Sequence, residues 1–74
     1  MLYKIKELTT KMDTGMYESS RPVVVVDGIK EDLIKKYEND GYDVMHDYGD
    51  VLVMYKEYYN ENLVSKIYIT EYTK

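Results

Sequence analysis

Cysteine, tryptophan and phenylalanine are absent from the 74 residues, and proline and histidine occur once each. Without cysteine there is no disulfide framework, no thiolate metal site and no thiol nucleophile. Without Trp or Phe, the whole aromatic content is ten tyrosines, each with a hydroxyl that needs water or a partner, so several rings are expected at the surface. Tyrosine-rich surfaces are more typical of binding sites than of monomer exteriors. Long apolar runs are missing too: the start, MLYKIKELTT, lacks the core of a signal peptide, and no segment approaches a membrane span. A small chain without disulfides suits the cytoplasm. Basic residues are outnumbered, 10 Lys and Arg against 14 Asp and Glu for a net charge of -4. That balance weighs against direct binding of nucleic acid, which depends on clustered cations. A larger and basic protein is the expected partner.

The length allows one domain, residues 1–74, with one small core. The organising stretch is Pro22 to Gly41. Val23 to Val26 read as a strand buried on both faces, hence central. Ile29, Leu33, Ile34 and Tyr37 recur at helical spacing and predict a helix with one apolar stripe. Asp27 or Gly28 is suited to cap its start, and Gly41 to supply the left-handed residue that ends it. Leu2 to Leu8 reads as an edge strand guarded by lysines. Residues 9–21, TTKMDTGMYESSR, have no period and read as a loop of roughly a dozen residues, longer than most connections. Tyr42 to Asp47, Val51 to Tyr59 and Leu63 to Tyr72 read as an antiparallel meander, with turns at Tyr48 to Asp50 and Asn60 to Asn62. The expected class is α+β: a small antiparallel or mixed sheet with one helix on one face, in the order β-β-α-β-β-β. The expected core is Val23 to Val26 against Leu33, Ile34, Val53 and Ile67.

Chemistry-bearing groups are sparse. His46 stands alone, and strand alternation would point Asp43, Met45 and Asp47 away from it, so neither a zinc site nor an acid-base pair is expected. Asp47 to Asp50, DYGD, lacks the closing glutamate and flanking helices of a calcium hand. The glycines are isolated and form no phosphate cradle. Ser19 and Ser20 have no nucleophile elbow around them. No metal, no cofactor and no enzymatic activity are expected. Glu38, Asp40, Asp43, Asp47 and Asp50 fall in one stretch that holds no Lys or Arg and is interleaved with Tyr42 and Tyr48. The stretch reads either as an acidic, tyrosine-bearing patch for a basic protein or as a solvated turn region.

Several short stretches together resemble the small epsilon subunit of RNA polymerase of low-GC Gram-positive bacteria. Met1, Leu2, Tyr3, Lys4 and Ile5 resemble its opening, and Glu18, Ser19 and Ser20 precede the short apolar strand at Val23 to Val26. Tyr42, Asp43 and Val44, then Val53, Met54, Tyr55 and Lys56, resemble its later strands, with Lys56 standing where the family has an acid. The resemblance implies a cytoplasmic, non-catalytic accessory protein bound to the polymerase core. A phage or mobile-element inhibitor, setting an acidic tyrosine-rich face against a DNA-binding enzyme as a nucleic-acid mimic, is the alternative. Glu18, Tyr42, Asp43, Asp47, Tyr48 and Asp50 are the candidate partner-binding residues under either reading.

Overall fold

Leu2–Lys11 (β1) runs through the interior of a single antiparallel sheet in the computed structural model, which describes residues 1–72. On one side β1 pairs over its full length with Leu63–Tyr72 (β6), from Leu2 opposite Tyr72 to Lys11 opposite Leu63. Its other side is shared by two short strands, Tyr17–Ser20 (β2) against the end of β1 and Val24–Asp27 (β3) against its start. These two are one returning strand broken at Arg21 to Val23. Pro22 has no amide hydrogen to give a ladder and is tolerated there because the strand lies at an edge. Beyond β6 the sheet continues through Val51–Tyr58 (β5) to Asp43–Asp47 (β4), the opposite edge. Between β3 and β4, Lys30–Asn39 (α1) carries the chain across one face from edge to edge. The class is α+β, as the pattern of periods predicts, with the returning strand counted as two.

The valine run is the principal correction. Val23, Val24 and Val25 are 51%, 50% and 50% exposed, because β3 pairs only with β1. Leu2 to Leu8, expected at an edge, is interior. A run of β-branched residues specifies an extended backbone; it does not specify how many neighbours that backbone has. Residues 9–21 are not one loop either. β1 extends to Lys11, and the Lys11 amide bonds to the Met16 carbonyl at 2.8 Å across a turn with Gly15 at φ 72 before β2 starts.

The core lies between α1 and the sheet. Tyr3 and Ile5 of β1, Ile67 and Ile69 of β6, Leu52 and Met54 of β5, and Tyr42 form its buried part, and Val26, Leu33, Ile34 and Tyr37 pack against it. Of the expected set, Ile67 is central, Leu33, Ile34 and Val26 are peripheral, and Val23 to Val25 lie outside. Val53 is buried but points the other way, since Leu52 and Met54 take the helix face and strand neighbours alternate. No residue of α1 is fully buried, so the helix is a lid on a core that the sheet builds.

The helix ends explain how the lid is held. Its start is capped by Ile29 with no side-chain bond, not by Asp27 or Gly28; Asp27 faces the terminal amine of Met1 at 3.2 Å instead. Its end is specified more fully. The Gly41 amide donates to the Glu38 carbonyl at 3.0 Å and the Tyr42 amide to the Tyr37 carbonyl at 2.9 Å, with Gly41 at φ 96. This pair of bonds is the Schellman closure, with the accompanying apolar contact supplied by the Tyr37 and Tyr42 rings, edge to face at 5.7 Å. Lys56 Nζ donates to the Asp40 carbonyl at 2.7 Å, placing a cation at the negative end of the helix.

Candidate interaction surfaces

The six residues singled out in the sequence do not form one patch. Glu18 lies on β2 and ion-pairs with Lys11 at 3.6 Å. Asp43 and Asp47 lie on β4, four strand steps away, roughly 19 Å at the usual spacing. Tyr42 is only 7% exposed and belongs to the core, so it offers no surface to a partner. Its pKa is pushed up to about 12, chiefly by burial. Asp47 is occupied as well. Lys30 Nζ sits 2.8 Å from its carboxylate, and the Gly49 amide donates to the same oxygen at 2.9 Å. The Lys30 bond is the main cause of the lowered pKa of Asp47. Lys30 also donates to the Gly49 carbonyl at 3.1 Å and so ties the β4–β5 turn to the helix start. An acidic stretch without local bases thus acquires two lysines, Lys30 and Lys56, from elsewhere in the chain.

Asp43, Tyr48 and Asp50 remain available. Every residue of β4 is exposed, and its outer edge carries no further strand. Tyr48 is 67% exposed, and Val44 and Met45 beside it are also open. Asp43 and Asp50 make no ion pair among the described residues. The strand is bulged at Met45, between the Val44–Met54 and His46–Val53 pairs. The extra residue reverses the alternation, so Asp43 and His46 fall on the same face of the sheet, contrary to simple strand parity. His46 stacks on Tyr48 with centroids 5.5 Å apart. No group of three His, Cys, Asp or Glu side chains suited to hold a metal occurs among the described residues.

A second region arises because α1 is too short for its sheet. Ten helical residues span about 15 Å, whereas the ten-residue strands β1 and β6 span about 33 Å. Beyond the helix the same face opens into a cleft of about 400 Å³ lined by Glu7, Thr9, Ser19, Arg21, Tyr58 and Ser65, among others. Its floor is a polar network: Arg21 Nε meets the Glu7 carboxylate at 2.6 Å, and the Tyr42 hydroxyl is 3.2 Å from both Glu7 Oε1 and Ser65 Oγ. With one proton, Tyr42 donates to the carboxylate and accepts from Ser65. Ser65 is 4% exposed and its hydroxyl is paired with that of Tyr42, so it is a satisfied structural hydroxyl. Sequence reasoning missed this network because Glu7, Tyr42 and Ser65 are spread over three strand regions; no local spacing announces it.

No family model matches the chain, and searches of curated proteins and of solved structures likewise found no match.

Proposed function

We propose that this protein is a non-catalytic binding module that docks on a larger protein through the β4 edge and the β4–β5 turn. The observation that carries the reading is the composition of that edge: exposed Val44, Met45 and Tyr48 flanked by Asp43 and Asp50, neither of them in an ion pair among the described residues. An aromatic and aliphatic centre with a charged rim is the usual anatomy of a protein interface. An open strand edge adds unpaired backbone groups that a partner strand is able to complete. RNA polymerase core is the partner to test first, on the resemblance of the chain to the polymerase epsilon subunit, and a cytoplasmic location goes with it. No helix among the described residues is long and apolar enough to cross a membrane. The inhibitor reading takes second place, because Glu18 sits at the opposite edge and Asp47 is paired with Lys30, which leaves no continuous acidic face to mimic a nucleic acid.

The test is affinity capture with tagged protein from its host at low salt, read by mass spectrometry, alongside a Tyr48→Ala/Asp43→Asn/Asp50→Asn variant. Recovery of polymerase core subunits by the parent, and their loss with the variant while its circular dichroism is unchanged, is the expected result. Rim charges act mainly on association and are screened within about 10 Å at 0.1 M salt, so capture should weaken as salt rises. Equal capture by parent and variant would remove the β4 edge as the contact. Capture of a nuclease or other DNA-binding enzyme in place of polymerase would favour the inhibitor.

A further inference from the structure

The valine strand β3 closes one edge of the sheet and pairs with β1 alone. From Pro22 to Val26 it carries no charge, although charge, lysine above all, is what usually guards an edge against further pairing. The Gly28 amide donates to the Met1 carbonyl at 3.0 Å, and the register continues from Leu2 opposite Asp27 to Ile5 opposite Val24. In an antiparallel ladder, residues that exchange hydrogen bonds with the neighbouring strand alternate with residues that do not. Val24 and Val26 therefore give their backbone groups to β1, while Val25 and Asp27 turn theirs outward, where no strand of this chain lies. The side chains alternate as well. Val26 packs on the core and Val24 lines a cleft beside Ile5 and Tyr37, so both take the helix face and Val25 takes the other. Val24 and Val25 are each 50% exposed, so the edge is apolar on both faces and open along its backbone.

We infer that β3 pairs antiparallel with β3 of a second copy of this chain, about a two-fold axis through Val25. Three observations select a copy as the occupant. Val25 is the one valine of β3 whose backbone groups point outward, so setting it opposite itself lets the two chains exchange a pair of hydrogen bonds without disturbing β1. The same register sets Val24 of each copy opposite Val26 of the other and Val25 against Val25, so apolar side chains meet on both faces of the joined sheet. It also carries Asp27, whose side chain is 76% exposed, to within two strands of Lys6 of the other copy on the same face, about 10 Å between backbones. The Lys6 ammonium bonds to the Arg21 carbonyl at 3.3 Å and is in no ion pair among the described residues. The two-fold repeats this approach of acid and base, so the edge complements itself in charge as well as in apolar surface. An isologous contact of this kind closes at two copies. So short a strand buries less than the roughly 1,200 Å² at which stable interfaces begin, which makes the dimer a weak one, with a Kd in the micromolar range or above. β4 lies at the opposite edge, so pairing through β3 leaves the proposed docking edge free, and the two tests share no readout.

The test follows the full chain by sedimentation equilibrium from about 5 µM to about 1 mM, the range in which a weak dimer forms and dissociates. A reversible equilibrium of monomer and dimer, with no larger species, is the expected result. Val25→Lys and Val25→Glu each set like charges opposite one another across the axis, and each should raise the dissociation constant about tenfold or more with circular dichroism unchanged. An equimolar mixture of these two variants should dimerise again, because opposite charges then face each other, and that recovery is specific to a contact of position 25 with itself. Val25→Thr, which keeps the branched shape that suits a strand, should weaken the dimer by a smaller factor. Asp43→Asn/Asp50→Asn, at the other edge, should dimerise like the parent. Any of four results overturns the inference: a monomer at every concentration, a dimer indifferent to Val25→Lys, charged variants that stay monomeric when mixed, or growth beyond two copies. Open-ended growth would mean that β3 meets β4 of the next copy instead of its own counterpart.

Discussion

Removing one oxygen from Tyr42 tests whether the polar network under the helix end holds the fold together. Tyr42→Phe keeps the ring, its edge contact with Tyr37 and the Schellman closure, so the change isolates the hydroxyl. That hydroxyl lies 3.2 Å from both Glu7 Oε1 and Ser65 Oγ. Glu7 keeps Arg21 at 2.6 Å and is reached by water, its side chain being 24% exposed, so its loss is small. Ser65 is 4% exposed and is left without a partner, which costs about 1 to 3 kcal/mol. In a domain of this size each kcal/mol shifts Tm by about 4 to 8 °C, so a fall of roughly 5 to 20 °C is expected in a thermal melt followed by circular dichroism. Adding Ser65→Ala removes the stranded group, so the double variant should be less destabilised than the sum of the singles. A Tyr42→Phe protein that melts with the parent, or strictly additive singles, would refute the reasoning.

The same hydroxyl makes a pH prediction. Burial, first, and the nearby Glu7 carboxylate raise the Tyr42 pKa, while the Ser65 bond opposes them; the result is about 12 against an ordinary 10.0. Between those values the unfolded chain releases the proton and the folded chain keeps it. Stability from this group is therefore complete below pH 10 and is lost as pH rises towards 12. Denaturant melts across that window should show the parent losing stability more steeply than Tyr42→Phe, and parallel slopes would refute the assignment.

Two further predictions concern the core and the helix end. Met54→Ala, at a side chain with 0% exposure, should cost about 2 to 5 kcal/mol in urea denaturation, whereas Val25→Ala on the open edge should cost under about 1 kcal/mol; the reverse order would restore the valine run to the core. Gly41→Ala forces a side chain into φ 96 and sets a Cβ 3.1 Å from Lys56 Cε, displacing the lysine that caps Asp40. A loss of about 1 to 2 kcal/mol is expected by the same measurement, and unchanged stability would show that the closure relaxes freely.

What could be read from the chain were features fixed by near neighbours. The helix is marked by the spacing of Leu33, Ile34 and Tyr37, and its end by Gly41. The meander is marked by alternation and by the turns at Tyr48 to Asp50 and Asn60 to Asn62. Pairing partners were not legible, because a strand's place in a sheet depends on residues far away. Val23 to Val26 would be central if another strand lay beyond them. The Asp13, Thr14 and Gly15 turn was a readable hairpin signal between Lys11 and Tyr17, hidden only by the polar, unpatterned sequence on either side. The bulge at Met45 has no comparable signal, yet it decides which face carries His46 and Asp43.

The candidate surfaces were less legible still, because charge is a property of faces and a sequence window crosses faces. Five acids without a base between Glu38 and Asp50 suggest one negative patch, but Asp47 turns to Lys30 on the helix, the Asp40 backbone carbonyl takes Lys56, and Asp43 goes to the other side of the sheet. Lys4, Lys6 and Lys66, far apart in the chain, are brought onto one face because β1 and β6 pair over ten residues. Alternation then does the sorting: on β1 it sends Tyr3, Ile5 and Glu7 towards the helix and Lys4 and Lys6 away from it. A long register between the first and last strands is thus what sorts a weakly acidic composition into one apolar face and one polar face, where lysines and tyrosines meet Asp27, Asp43 and Glu57, and it is the register, more than any motif, that decides which side chains share a surface.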